Sequence, residues 1–218
     1  MTLLEPDVAL TDFGLAIECA AFVTWLCRQP DAGSPLRAGF IALFAGVGLA
    51  ALLGGITHGF LPDQRAWPDR VLWHGTLIAI GVAALASWTI GAHLCLPRTV
   101  ARGITMLAGL VFAGYVAVVL FVSQSFTAAI VFYLPAAAFL LLAFGIAWLR
   151  RRAGFLLAGI AGVVLMFVAA GIQQSGIGLH PLYFDYNALY HLIQALALCL
   201  IFLAARGILH GAAAGRTR

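Results

Sequence analysis

Seven long apolar runs, separated by short clusters of Pro, Gly, Arg and Asp, divide the chain. They fall near residues 11–28, 37–60, 70–96, 102–123, 127–149, 153–173 and 184–208. A helix of roughly 20 apolar residues crosses the hydrocarbon core of a bilayer, so each run predicts one transmembrane α-helix. The connections are short, which predicts a tight bundle with consecutive helices as neighbours. No internal repeat, low-complexity linker or second domain interrupts the pattern. The chain reads as a single all-α domain, 1–218, of seven transmembrane helices. Glu5 and Asp7 precede the first run and Asp12 lies at its start, where a cleaved signal peptide would carry basic residues. That run is therefore expected to remain as helix one.

Composition narrows the class further. Of the 218 residues, 63% are hydrophobic and 9% are charged, whereas a soluble domain carries charge at about a quarter of its positions. A surface so poor in charge cannot face water, and so much apolar area cannot stay disordered. Seven spans leave no room for an extramembrane domain. All 12 basic residues are arginine, and without lysine there is no Schiff base and no retinal protein of the usual kind. Cys19, Cys27, Cys95 and Cys199 lie inside apolar runs without CxxC spacing, and read as small buried hydrophobes.

The arginines also orient the chain. Arg28, Arg37, Arg98, Arg102, Arg150, Arg151, Arg152, Arg206, Arg216 and Arg218 fall on one side, and Arg65 and Arg70 on the other. Glu5, Asp7, Asp12, Asp63, Asp69 and Asp185 share that second side, while Asp31 sits among the basic loops. Because positive charge stays on the cytoplasmic face, the N-terminus is expected outside and the C-terminus inside. The expected location is a cell membrane, of the bacterial inner-membrane kind, in a multi-pass arrangement. The charge of +4 then reports topology, and no nucleic-acid partner is expected.

An ionisable residue inside a span is costly, so its position is informative. Glu18 lies about two turns into the first predicted helix. His58 lies near the end of the second, in Gly54-Gly55-Ile56-Thr57-His58-Gly59-Phe60. Asp69 opens the third and His74 follows about one turn later. Gln173 and Gln174 close the sixth, His180 is in the last outer loop, and Asn187, His191 and Gln194 lie early in the seventh. All belong to the outer side. Asn187 and His191, four residues apart, stack on one helical face. Imidazoles from different helices at one depth can build a zinc site, in which three protein ligands leave a fourth position for water. Plainer readings exist beside this one. Asp69 also reads as a helix cap, His74 as an interfacial histidine bonded to a carbonyl, and Asn187 and Gln194 as interhelical hydrogen-bond partners. Glu18 also reads as a protonated carboxyl bonded to a neighbouring helix. His93 and His210 lie at inner ends.

This pattern resembles the superfamily of seven-helix membrane hydrolases that includes the alkaline ceramidases and the adiponectin receptors. Members are similar in carrying Ser-x3-His on helix two, Asp at the start of helix three and His-x3-His on helix seven. The resemblance places His58 at the helix-two histidine, Asp69 at the aspartate and His191 at the second histidine of helix seven. Glu18 looks like the acidic position in helix one of the ceramidase branch. Gly54 stands at the serine position and Asn187 at the first helix-seven histidine, which leaves His74 as the nearest candidate for a third ligand. The resemblance implies a Zn2+ ion held by His58, His191 and His74, with Asp69 as the catalytic acid–base. Glu18, Asn187 and Gln194 form a supporting polar cluster.

Three functions follow as expectations. The first is a zinc-dependent intramembrane hydrolase of a lipid amide or ester, whose substrate enters sideways from the outer leaflet. The second is a non-enzymatic lipid- or ligand-binding protein or sensor on the same scaffold, favoured by the Gly54 and Asn187 departures. The third is a haem b protein, with His58 or His74 paired to His191, or His93 paired to His210, as axial ligands. A membrane lipid is the expected partner in the first two. Paired broken helices, the mark of a transporter's midplane site, are not seen.

Overall fold

The computed structural model describes residues 3–29, 33–61, 67–180 and 183–214, residues 212–214 by backbone alone. Seven helices lie within them: α1 (Pro6–Cys27), α2 (Pro35–Phe60), α3 (Trp67–Cys95), α4 (Arg98–Phe121), α5 (Phe126–Arg151), α6 (Gly154–Ser175) and α7 (Tyr186–Ala214). All seven are long and apolar enough to cross a membrane. Among the described residues there is no strand, only one bridge between His180 and Phe184. The protein is an all-helical, multi-pass membrane protein. Asp31, Asp63, Arg65, Arg216 and Arg218, which enter the charge pattern above, lie outside the described residues.

Helix is what a bilayer demands, because no water reaches the backbone and every N–H and C=O must find a partner within its segment. Several side chains obey the same rule. Thr24, Thr76, Ser87 and Thr89 return their hydroxyls to the carbonyl four residues back, at 2.7, 3.0, 2.8 and 2.9 Å. Ends are closed explicitly. Gly176, with φ 69°, ends α6; its N–H donates to Gln173 O and that of Ile177 to Ile172 O, a Schellman closure. Two arginines cap helices other than their own. Arg37 donates from Nε to Leu26 O at 2.8 Å and from Nη2 to Cys27 O at 2.6 Å, at the C-terminus of α1. Arg150 does the same for Cys95 O at the end of α3, at 2.9 Å. A guanidinium there meets the negative end of the helix dipole.

Helices α1, α2, α3, α5, α6 and α7 pack as a ring that closes where α7 meets α1, and α4 lies outside it against α3. The expected neighbour order is weakest here, since α5 packs mainly on α3 and α6 and less on α4. The reason is in the α4 sequence, whose buried residues Ala101, Ala108, Tyr115 and Val119 form one narrow stripe. Such a stripe serves one main neighbour. Tyr115 anchors it, donating to Leu77 O at 2.9 Å and stacking on Phe132 of α5 at 4.2 Å.

The ring is filled at the end away from the N-terminus. Phe40, Phe44, Ile90, Leu140, Phe144 and Leu198 are buried there, and Phe22 stacks on Phe202 at 4.2 Å. Glycine lets backbones close in, as small residues do between membrane helices. A Cβ at Gly46 would stand 2.8 Å from Ala79 O, and one at Gly162 2.7 Å from Ala197 O. Cys19 and Cys95 are buried as expected, but Cys27 and Cys199 are exposed, and all four are free thiols. Toward the N-terminal end the packing gives way to a cavity.

Candidate functional site: a polar-ended cavity within the ring

The centre of the site is a side chain of α1. Pro6 occupies the first turn of that helix, where a missing N–H costs nothing, so α1 begins at residue 6 and Asp12 lies well inside it. Val8, Asp12, Leu15, Cys19 and Leu26 recur at spacings of three, four and seven, and form the buried face of α1. Asp12 is 3% exposed. Its Oδ1 lies 3.3 Å from Nε2 of His191 on α7, and Nδ1 of the same ring lies 3.2 Å from Thr11 Oγ1. Adjacent residues of α1 thus hold both nitrogens of one α7 imidazole. On its other side Asp12 meets α2, where a Cβ at Gly54 would stand 3.2 Å from Asp12 Oδ2. Glycine at that position makes room for the carboxyl.

These groups face a cavity of about 310 Å³ in the N-terminal half of the ring. Its polar lining includes Asp12, His58, Gln173, Asn187, His191 and Gln194, and its walls include Leu15, Val47, Ile80, Phe126, Met166 and Phe167. The lining residues that are themselves exposed are Leu134 on α5 and Ala170 and Gln174 on α6. The cavity therefore opens sideways between α5 and α6. Those helices meet closer to the far end, where the Phe144 ring fills the space beside Gly159.

The N-terminal segment ties α2 and α7 together around this end. Leu4 N–H donates to Gly59 O at 3.1 Å and Glu5 N–H to His58 O at 3.2 Å. Glu5 Oε2 lies 2.6 Å from His58 Nδ1. Asp7 Oδ2 accepts from Asp185 N–H at 3.0 Å, and Asp185 Oδ1 accepts from Ala188 N–H at 2.8 Å, which opens α7. Inside, Gln173 Nε2 donates to Asn187 Oδ1 at 3.2 Å.

Of the residues singled out in the sequence, His58, Asn187, His191 and Gln194 come together as lining of this cavity. Asp69, His74 and Glu18 are not part of that lining. Asp69 is buried in the first turn of α3. His74 Nδ1 donates to Arg70 O at 2.6 Å, the carbonyl-bonded arrangement weighed above. Glu18 Oε1 accepts from the Cys199 thiol at 2.8 Å on the seam between α1 and α7. His210 Nδ1 donates to Arg206 O at 2.8 Å near the opposite end, its ring beside Trp25, and His93 lies in the last turn of α3. Asp12 is the residue that sequence reasoning leaves out of the cluster.

Among the described residues, no three His, Cys, Asp or Glu side chains are placed to hold a metal ion. A catalytic zinc takes three protein ligands, and here one nitrogen of His58 faces Glu5 while both of His191 face α1. The residues present do not fit zinc. A haem iron needs a free nitrogen on each axial ring, and His191, with both nitrogens toward α1, has none to spare for pairing with His58 or His74; His93 and His210 are not among the described lining of this cavity. What remains is a carboxyl, two imidazoles and amides beside an apolar slot, able to hydrogen-bond one small head group or to exchange a proton with it.

No curated protein and no solved structure matches the chain. The sequence model of a family of unknown function, DUF6962, matches residues 8–210, a stretch that contains the cavity lining from Asp12 to Gln194. The chain belongs to this family.

Proposed function

We propose that the protein binds a membrane-soluble amphiphile in this cavity, as a receptor or sensor rather than as a zinc enzyme. One observation carries the reading: the polar cluster around Asp12 and His191 stands at the end of an apolar slot that opens toward lipid between α5 and α6. Ligand sites are mostly apolar with a few placed polar groups, and span roughly 300–1,000 Å³. This cavity lies at the lower end of that range. Arg28, Arg37, Arg98, Arg102, Arg152 and Arg206 lie at the opposite end of the bundle. By the positive-inside rule this supports an external N-terminus, with the cavity opening to the outer leaflet of a cell membrane.

The test is native mass spectrometry of the protein purified in mild detergent, with lipid analysis of the released material. A discrete adduct is expected on the wild type. Ala137→Phe, which fills a buried lining position, is expected to lose it. A bare wild type, or an unchanged adduct on the variant, refutes the reading. About one zinc per chain, the stoichiometry of a single catalytic site, would refute it as well.

A second reading, hydrolysis of a lipid amide or ester, has one observation in its favour. The Asp12 carboxyl and the His191 imidazole face the same cavity, and such a pair can take up and return a proton. Cleavage of the bound amphiphile on incubation, lost in His191→Ala, would establish it.

A further inference from the structure

We infer that the ligand is a single-chain amphiphile whose head carries no negative charge and donates hydrogen bonds. This rests on the binding reading above. The chain has no lysine, and no arginine is among the described residues that line the cavity. Arg70, the arginine described at this end, is exposed on the first turn of α3. The acidic group in the lining is Asp12, buried at 3% exposure, with one oxygen toward His191 and the other beside Gly54, itself a lining residue. His58, the second imidazole in the lining, faces Glu5.

A phosphate or carboxylate head would bring a negative charge out of water into a low-dielectric cavity, beside an acidic side chain and with no arginine or lysine in the described lining to offset it. A hydroxyl or an ammonium would instead donate to that carboxyl. The size of the site agrees. About 310 Å³ accommodates a head and the start of one chain, and the gap between α5 and α6 lets the tail stay in the bilayer.

Monooleoylglycerol and its phosphate ester differ only in the phosphate, which makes them a matched pair of probes. Their binding to the full-length protein in nanodiscs can be followed by thermal shift and by the fluorescence of Trp73, which lines the cavity. The neutral lipid is expected to bind at least about tenfold tighter than the phosphate. Gln174→Arg places a cation at the exposed rim, and should narrow that ratio to within about threefold by strengthening phosphate binding. Equal or tighter phosphate binding by the wild type overturns the charge inference and leaves the pocket standing. A ratio unchanged by Gln174→Arg overturns the assignment of selectivity to this cavity. Binding of neither probe overturns the pocket itself.

Discussion

Asp12 and His191 meet across the α1–α7 seam at 3.3 Å, with side chains 5% and 12% exposed, and the account of the site stands on that contact. Its strength can be bounded. Charge-assisted N–H···O bonds measure about 2.7–2.9 Å, so this contact is longer than a tight ion pair. Hydrogen bonds between membrane helices average about 0.6 kcal/mol and reach about 1.7. Burial of both partners places this one in the upper half, at about 1–1.5 kcal/mol of coupling. Each single substitution, Asp12→Ala or His191→Ala, should cost more, about 1–3 kcal/mol, because it strands a polar partner away from water. The assay is equilibrium unfolding in mixed micelles of the wild type, both single variants and the double variant. Glu18→Ala crossed with His191→Ala is the control. Glu18 reaches Cys199 rather than the cavity, so that pair should be additive within about 0.5 kcal/mol. Additivity of Asp12 and His191, or coupling of Glu18 to His191 in their place, refutes the geometry.

Gly46→Ala should destabilise by at least about 2 kcal/mol in the same unfolding assay, because the new Cβ meets backbone at Ala79 O that cannot turn aside. Gly109→Ala on α4, with nothing within 4 Å, should be neutral or stabilising by up to about 1 kcal/mol. Arg37→Ala removes both guanidinium bonds, leaving Leu26 O its bond from Gln29 N–H and taking the arginine partner from Cys27 O, and should cost about 1–3 kcal/mol. Arg37→Lys should recover only part of that, since a single ammonium cannot reproduce the planar fork. Gly54→Ala should push the Asp12 carboxyl by a few tenths of an ångström and weaken monooleoylglycerol binding about threefold to tenfold, near 1 kcal/mol. Gly54→Ser, whose hydroxyl can donate to Asp12, should bind better than Gly54→Ala; the reverse order would sink the assigned role of Gly54.

The helices are legible in the sequence because a bilayer imposes one length and one composition on every span. Their azimuths are also legible, but only once each helix start is placed correctly. Starting α1 at residue 11 makes Asp12 a flanking charge and leaves Glu18 as the acid within the span. Reading Pro6 as a first-turn proline puts Asp12 on the face shared with Leu15, Cys19 and Leu26, and leaves Glu18 one residue off it. On α3 the buried positions Asp69, Thr76, Ala83 and Ile90 recur every seven residues, while His74, five residues after Asp69, is turned about 140° away. Azimuth separates His74 from Asp69, whereas depth separates Glu18 from His191, because Glu18 meets Cys199, about two turns further along α7. The turn of an imidazole about its own bonds lies beyond both signals. His58 and His191 share the cavity, yet His58 aims a nitrogen at Glu5, and His191 engages Thr11 and Asp12 on the first helix. Such choices depend on which neighbour offers a partner, and in lipid an unpartnered nitrogen is costly. A count of histidines at one depth therefore says where polar chemistry gathers in this chain, while the acceptors beside each ring decide whether a metal can compete for it.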